Sequence, residues 1–184
     1  LTDINTGKVK ALVSYPGYDA NQINNVSYYA SLINNSSSPL YNRATQQTLA
    51  PGSTFKPISA IAGLEEGVID ADTYITDYVE YTKVVPHANC WNSAGHGTIN
   101  VEQAIEYSCN YFFYEVGYRL GSKNNTTELN DSTGLALLAK YAKMFGLDSV
   151  SGLELPETTP RISDESVVRS AIGQATHNYT AAEL

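Results

Sequence analysis

The sequence predicts a mixed α+β fold. Three observations carry that reading: a strand-turn-strand pattern at the start, apolar runs at helical spacing through the middle, and a broken, tyrosine-rich stretch suited to loops and short strands. With 184 residues, 42% hydrophobic and 16% charged, the chain can bury one substantial core and is too apolar for disorder. Its formal charge of −8 comes with no basic run, which recommends neither a nucleic acid nor an anionic membrane surface as partner. No internal repeat or low-complexity linker divides it, so residues 1–184 read as a single unit.

The elements follow in order. Leu1-Thr2-Asp3-Ile4 and Val9-Lys10-Ala11-Leu12-Val13-Ser14 read as two strands of a β-hairpin, with Gly7 supplying positive φ in the turn and Pro16 ending it. Residues 18–48, crowded with Asn, Ser and Tyr, read as irregular chain and short helix. After Pro51-Gly52, the run Ile58-Ser59-Ala60-Ile61-Ala62-Gly63-Leu64 reads as a buried helix stopped at Glu65-Glu66-Gly67. Residues 68–98 suit loops with a short strand or two. Asn100, with Gln103 three residues on, opens a helix expected to run to Gly121, placing Val101, Ile105, Phe112 and Val116 on one face with Ser108.

A polar loop over residues 122–133 leads to a second amphipathic helix, with Leu135, Leu138, Ala139, Ala142 and Phe145 on its apolar face and Gly146 at its end. Gly152-Leu153-Glu154-Leu155-Pro156 reads as extended, residues 164–171 as helix ending at Gly173, and Thr180-Ala181-Ala182-Glu183 as a capping box opening one more helix. With no initial methionine, no signal peptide and no apolar run of roughly 20 residues, the chain reads as an excised piece of a longer protein.

The chemistry concentrates in two clusters. Ser53 stands three residues before Lys56 at the start of the buried helix, so the two share a face in its first turn. A serine hydroxyl is a poor nucleophile at neutral pH, and a lysine lowered in pKa by burial is among the few groups able to activate it. First-turn backbone N–H groups also point at charge that develops beside the serine. The second cluster, Ser108-Cys109-Asn110, sets a hydroxyl that can relay a proton two residues from a carboxamide that can hold a peptide. A competing reading has Ser108 bonding back within its helix and Asn110 capping a helix that begins at Tyr111.

Together the clusters resemble the class B penicillin-binding protein transpeptidases, of the branch that serves cell elongation; serine-lysine and serine-asparagine motifs are a signature of penicillin-binding proteins generally. The resemblance covers nearly the whole chain. Asp3, Thr6-Gly7, Val9, Ala11, Ser14, Pro16, Asp19 and Asn21 are similar to that family's opening strand-turn-strand, and Pro51-Gly52-Ser53-Thr54-Phe55-Lys56-Pro57 to its first motif. His96-Gly97 followed by Ser108-Cys109-Asn110-Tyr111-Phe112-Phe113-Tyr114 resembles its second, and Gly152-Leu153-Glu154-Leu155-Pro156 and Ile172-Gly173-Gln174 stand where it has similar segments. Its third motif, Lys-Ser/Thr-Gly, does not occur in these residues.

The resemblance implies part of the penicillin-binding and serine β-lactamase-like fold, with the remaining sheet strands missing. It also implies acyl transfer on peptidoglycan stem peptides ending in D-Ala-D-Ala, and acylation by β-lactams. Ser53 is then the nucleophile, Lys56 its base, Ser108 the group that passes the proton to the leaving amine, and Asn110 the holder of Lys56 and the substrate amide. Without the third-motif strand only half of an oxyanion hole is present, so the piece alone is expected to acylate very slowly or not at all. The parent is expected on the outer face of a bacterial membrane, anchored by an N-terminal helix and associated with a glycosyltransferase. A β-lactam sensor, a non-catalytic wall-binding module and a D,D-carboxypeptidase are the alternatives.

Cys90, His96 and Cys109 are three soft ligands for a structural Zn²⁺, and such a site needs a fourth, Asp77 or His87. The resemblance favours Asp77, since some elongation-type members carry a structural zinc in this region; catalysis itself needs no cofactor. A Cys90–Cys109 disulfide and two buried free thiols are competing readings. Asn-x-Ser/Thr triplets at Asn25, Asn34, Asn35, Asn124, Asn125, Asn130 and Asn178 carry no weight in a chain so rich in these residues.

Overall fold

The structure, a computed structural model, describes residues 1–123 and 128–184; the triplets at Asn124 and Asn125 lie outside them. The opening turn forms as expected. The Asp3 carboxylate accepts from the N–H groups of Asn5 (2.9 Å) and Thr6 (3.2 Å), and Gly7 takes φ +67°. The strands, however, shrink to a single antiparallel bridge between Thr2 and Val9. Leu1, Ile4 and Val13 stand exposed, so no buried face pins a longer ladder there.

A 3₁₀ turn at Ala20–Gln22 and two short helices follow, α1 (Val26–Ile33) and α2 (Arg43–Gln46), each capped by an asparagine that accepts from the first turn. Strand β1 (Thr48–Leu49) leads into a second 3₁₀ turn, Gly52–Phe55, which runs directly into α3 (Lys56–Glu65). Pro57 suits the first turn of α3, where its missing N–H costs nothing, and Gly67 ends the element at φ +67°.

Residues 68–98 hold more strand than expected. β2 (Ile75–Asp77) pairs antiparallel with β5 (Gly97–Ile99), and β3 (Glu80–Tyr81) with β4 (Ala88–Asn89). The ribbons rest on the helical core through Tyr81, whose hydroxyl donates to buried Glu115 at 2.7 Å; Lys83 and Arg119 also bond that carboxylate. Burial pushes the Glu115 pKa upward, but these donors outweigh it and hold the group ionised.

The helix expected from Asn100 to Gly121 is two helices. The Asn100–Gln103 capping box opens α4 (Val101–Glu106), and the chain then breaks at Ser108, which takes φ +52°, before α5 (Asn110–Gly121). The apolar spacing continues across the break and so conceals it. Ile105 consequently lies off the core, 43% exposed. Cys109, not Asn110, caps α5, its sulfur accepting from Phe112 N–H at 3.4 Å.

Helix α6 (Asp131–Met144) starts earlier than expected because the Asn130 side chain accepts from Thr133 N–H; Gly146 ends it at φ +79°, leaving Phe145 exposed. Residues 152–156 form no strand and instead wrap the Glu157 carboxylate, which accepts from the backbone of Ser151, Gly152 and Leu153. The helix expected over 164–171 contracts to α7 (Val167–Ser170): Asp164 is committed to Arg161 and Thr176, and Ser166 sits at φ +47°.

Where a terminal helix was expected, Tyr179–Thr180 forms β6, paired with β1. Only half of the capping box forms, Thr180 N–H to Glu183 Oε2 at 2.7 Å, while the Thr180 hydroxyl is buried without a partner.

The core centres on α5, packed against α3, α6 and α7. Phe112, Phe113, Val116 and Leu120 are fully buried. Gly117 lets α7 approach closely, for a Cβ there would lie 2.8 Å from the Val167 carbonyl oxygen. This packing fixes the start of α3 beside the start of α5, and with them both motifs. No helix among the described residues is long and apolar enough to cross a membrane.

Candidate active site

Ser53 is set by the tight turn ahead of α3. Gly52 takes φ +59°, its N–H donates to the Gly173 carbonyl at 2.8 Å, and the Thr54 hydroxyl closes the turn on Pro51 O at 2.8 Å. Gly173, at φ +73°, presses on this turn so closely that a Cβ there would land on the Gly52 carbonyl oxygen. Ser53 is thereby held exposed, while Lys56 one turn on is only 2% exposed.

Lys56 spans from the first motif to the second. Its Nζ donates to Ser108 O (2.6 Å), Asn110 Oδ1 (2.7 Å) and Ser108 Oγ (3.1 Å). The Ser108 hydroxyl in turn donates to Ser53 Oγ at 2.8 Å. The hydroxyl of Ser108 thus lies between the Ser53 hydroxyl and the lysine, and the back-bonding alternative for Ser108 is not what the structure has. Burial is the main cause that brings Lys56 down to about 8, and the neighbouring Cys109 and Cys90 thiols oppose it.

The bond pattern shows what this lysine can do. An ammonium has three donors, and here all three are used. A neutral amine has two, which the two acceptor-only atoms, Ser108 O and Asn110 Oδ1, consume. Its lone pair then faces the Ser108 hydroxyl.

Ser53, Ser108 and Asn110 open on a cleft of about 370 Å³ whose walls include Trp91, Ile172 and Gln174. Trp91 belongs to neither motif; its signal in the sequence is that it is the one tryptophan of the chain and stands next to Cys90.

Directly behind Ser108, Asp77, Cys90, His96 and Cys109 bring one ligand atom each to within 4.8 Å of one another. His87 is elsewhere, exposed and bonded to Glu80 at 2.9 Å. Zinc at about 2.3 Å from sulfur and 2.0–2.2 Å from nitrogen or oxygen implies tetrahedral edges of about 3.8 Å for S···S and 3.5 Å for S···N or S···O. The separations are 3.9 Å for Cys90–Cys109, 3.5 Å for Cys90–His96 and 3.4 Å for Cys109–Asp77, so these residues fit that ion; His96–Asp77, at 2.7 Å, would have to open slightly.

The two sulfurs are unbonded. The hydrogen bond from Cys109 holds the Cys90 thiol down to about 6, and the same contact, with burial, pushes Cys109 up. Burial raises the Asp77 pKa, but hydrogen bonds from Cys90, His96, Val79 N–H and Cys109 outweigh it and keep the carboxyl ionised.

Comparison with known proteins places this geometry. The family described as penicillin binding protein transpeptidase domain matches residues 1–184. Peptidoglycan D,D-transpeptidase MrdA of Escherichia coli K12 is 35% identical over 162 residues, which are 85% of this chain and 24% of that protein. The chain thus spans about a quarter of the length of such curated relatives. A solved chain from a peptidoglycan synthase complex that coordinates polymerization and crosslinking superposes with a TM-score of 0.84 at 28% identity, over 99% of this chain and 32% of that one. Penicillin-binding protein A of Mycobacterium tuberculosis, solved as its imipenem acyl-enzyme, gives 0.81 at 28% identity, over 99% and 42%. The match over the whole chain, with both serine motifs in one cleft, means that the chain belongs to the penicillin-binding protein transpeptidase family, as its MrdA-type, class B branch.

Proposed function

We propose that this chain carries the nucleophile and proton relay of a peptidoglycan D,D-transpeptidase that forms a serine acyl-enzyme and is acylated by β-lactams. The observation that carries it is the unbroken hydrogen-bonded line from Ser53 Oγ through Ser108 Oγ to Lys56 Nζ, 2.8 and 3.1 Å. Ser53 Oγ attacks the penultimate D-Ala carbonyl as its proton passes to Ser108 Oγ and the Ser108 proton passes to the neutral Lys56 amine. Collapse of the tetrahedral intermediate breaks the peptide bond, and Lys56 returns a proton through Ser108 to the departing D-Ala amine. An amine of a second stem peptide then attacks the ester, its proton leaving along the same line, and Ser53 is regenerated. Asn110 fixes Lys56 and offers its remaining amide atoms to the substrate backbone.

The residues in hand supply one side of the cleft, and the Lys-Ser/Thr-Gly strand of the family supplies the other in the whole protein. Anchoring at the extracytoplasmic face of the cell membrane and work beside a glycosyltransferase follow from the same reading, the second supported by the likeness to a synthase-complex chain. The full-length protein, given a pentapeptide stem and an acceptor stem, should release D-Ala and form a cross-linked dimer. Release with only the hydrolysed tetrapeptide would make it a carboxypeptidase, and lasting β-lactam acylation without any release would make it a sensor.

The fitted cluster supports a second element of the reading. Asp77, Cys90, His96 and Cys109 would hold one structural Zn²⁺, which supplies cross-linking of the β2–β5 ribbon to the start of α5 and no chemistry. Full-length protein purified without chelator should then contain about one zinc per chain by elemental analysis. Cys90→Ser should lose the metal and lower the melting temperature by at least about 4 °C. Protein free of zinc, with the same melting temperature with and without chelator, would refute this.

A further inference from the structure

We propose that Trp91 is a positioning residue for Ser108, holding the carbonyl that aims Lys56. The inference rests on the reading of Ser53, Ser108 and Lys56 as an acylating relay. Ser108 is a non-glycine residue in the left-handed region, φ +52°, a strained conformation that persists only where the surroundings impose it. The Trp91 indole imposes it from the cleft side. Its Nε1–H donates to Ser108 O at 3.0 Å and, more weakly, to Tyr107 O at 3.3 Å, gripping the two carbonyls that flank the bend.

The Ser108 carbonyl also accepts from Lys56 at 2.6 Å, so its two lone pairs are divided between a rigid ring and a flexible ammonium. The ring itself is braced. It packs edge-on against His96 with centroids 5.2 Å apart, and His96 stacks on Tyr107 at 6.0 Å and 7°. Without the indole N–H, only Lys56 orients that carbonyl. The peptide after Ser108 can then tilt, and both the Ser108 hydroxyl and the Lys56 lone pair swing off the line to Ser53.

Trp91 is 64% exposed and walls the cleft, so any substitution that shrinks the ring would confuse a wall with a brace. Replacing it in the full-length protein by 3-benzothienylalanine, which keeps the bicyclic shape and puts sulfur where the N–H was, separates them. The probe is a fluorescent penicillin, followed to resolve the dissociation constant of the first complex from the acylation rate constant. We expect the rate constant to fall about tenfold with the dissociation constant unchanged within about twofold.

An unchanged rate constant would overturn the proposal, as would a loss confined to the dissociation constant. So would a loss of rate seen only together with a lowered melting temperature, which is what a merely structural residue would give. Wild-type protein that penicillin does not acylate would instead refute the relay reading itself.

Discussion

Lys56→Met in the full-length protein should slow acylation by penicillin about a thousandfold, the scale of a lost general base. Methionine fills nearly the same buried volume and removes a desolvated cation, so the fold should survive the change. The unsubstituted protein should show the sign of the relay in its pH profile. Burial brings Lys56 down to about 8, and only the neutral amine can take the Ser108 proton. Acylation should therefore rise as pH increases toward about 8 and level off above it. Lys56→Met should remove that rise from whatever slow reaction remains. A rate that stays flat between about pH 6 and 9 in the unsubstituted protein, or a Lys56→Met variant that acylates normally, would contradict the assignment.

Gly173→Ala should be the most damaging Gly→Ala substitution in the chain. The new Cβ would meet the Gly52 carbonyl oxygen and lie 2.8 Å from the Phe55 Cβ, on a backbone at φ +73°. Backbone must move to relieve it, and the backbone in question is the turn that presents Ser53. A destabilisation of about 3–5 kcal/mol is expected, with acylation of whatever folds reduced at least about 100-fold. Gly146→Ala provides the comparison: φ is +79° there, but nothing lies within 4 Å of the added Cβ, so the cost should stay near about 1–2 kcal/mol with acylation unchanged. Thermal melts and penicillin labelling of the two variants side by side measure the difference. Equal effects would show that the Gly52–Gly173 contact does not set the site.

Much of the site was legible because its parts are local. Ser53 and Lys56 are one turn apart, Ser108 and Asn110 two residues apart, and the apolar runs behind them show both to be at the edge of a core. The order in which they touch was not legible. That Ser108 intervenes between Ser53 and Lys56 depends on the break at Ser108, and apolar positions at helical spacing on both sides of it read as one helix.

The misread ends have the same physical origin. Residues 164–166 look helical by composition, yet long-range side-chain bonds to Thr176 and a positive φ at Ser166 claim them. Thr180 and Glu183 have the residue types of a capping box, yet pairing with Thr48 takes the backbone. Propensity and spacing act over a few residues, and these outcomes are decided by partners far along the chain. The same holds for Asp77, which joins Cys90, His96 and Cys109 only through the pairing of β2 with β5.

The most direct measurement of the central claim is peptide mapping after penicillin treatment of the full-length protein. The penicilloyl group should be found on Ser53 alone, and Ser53→Ala should abolish it while leaving the melting temperature unchanged. A penicilloyl group on any other residue, or undiminished labelling of the Ser53→Ala variant, would contradict it.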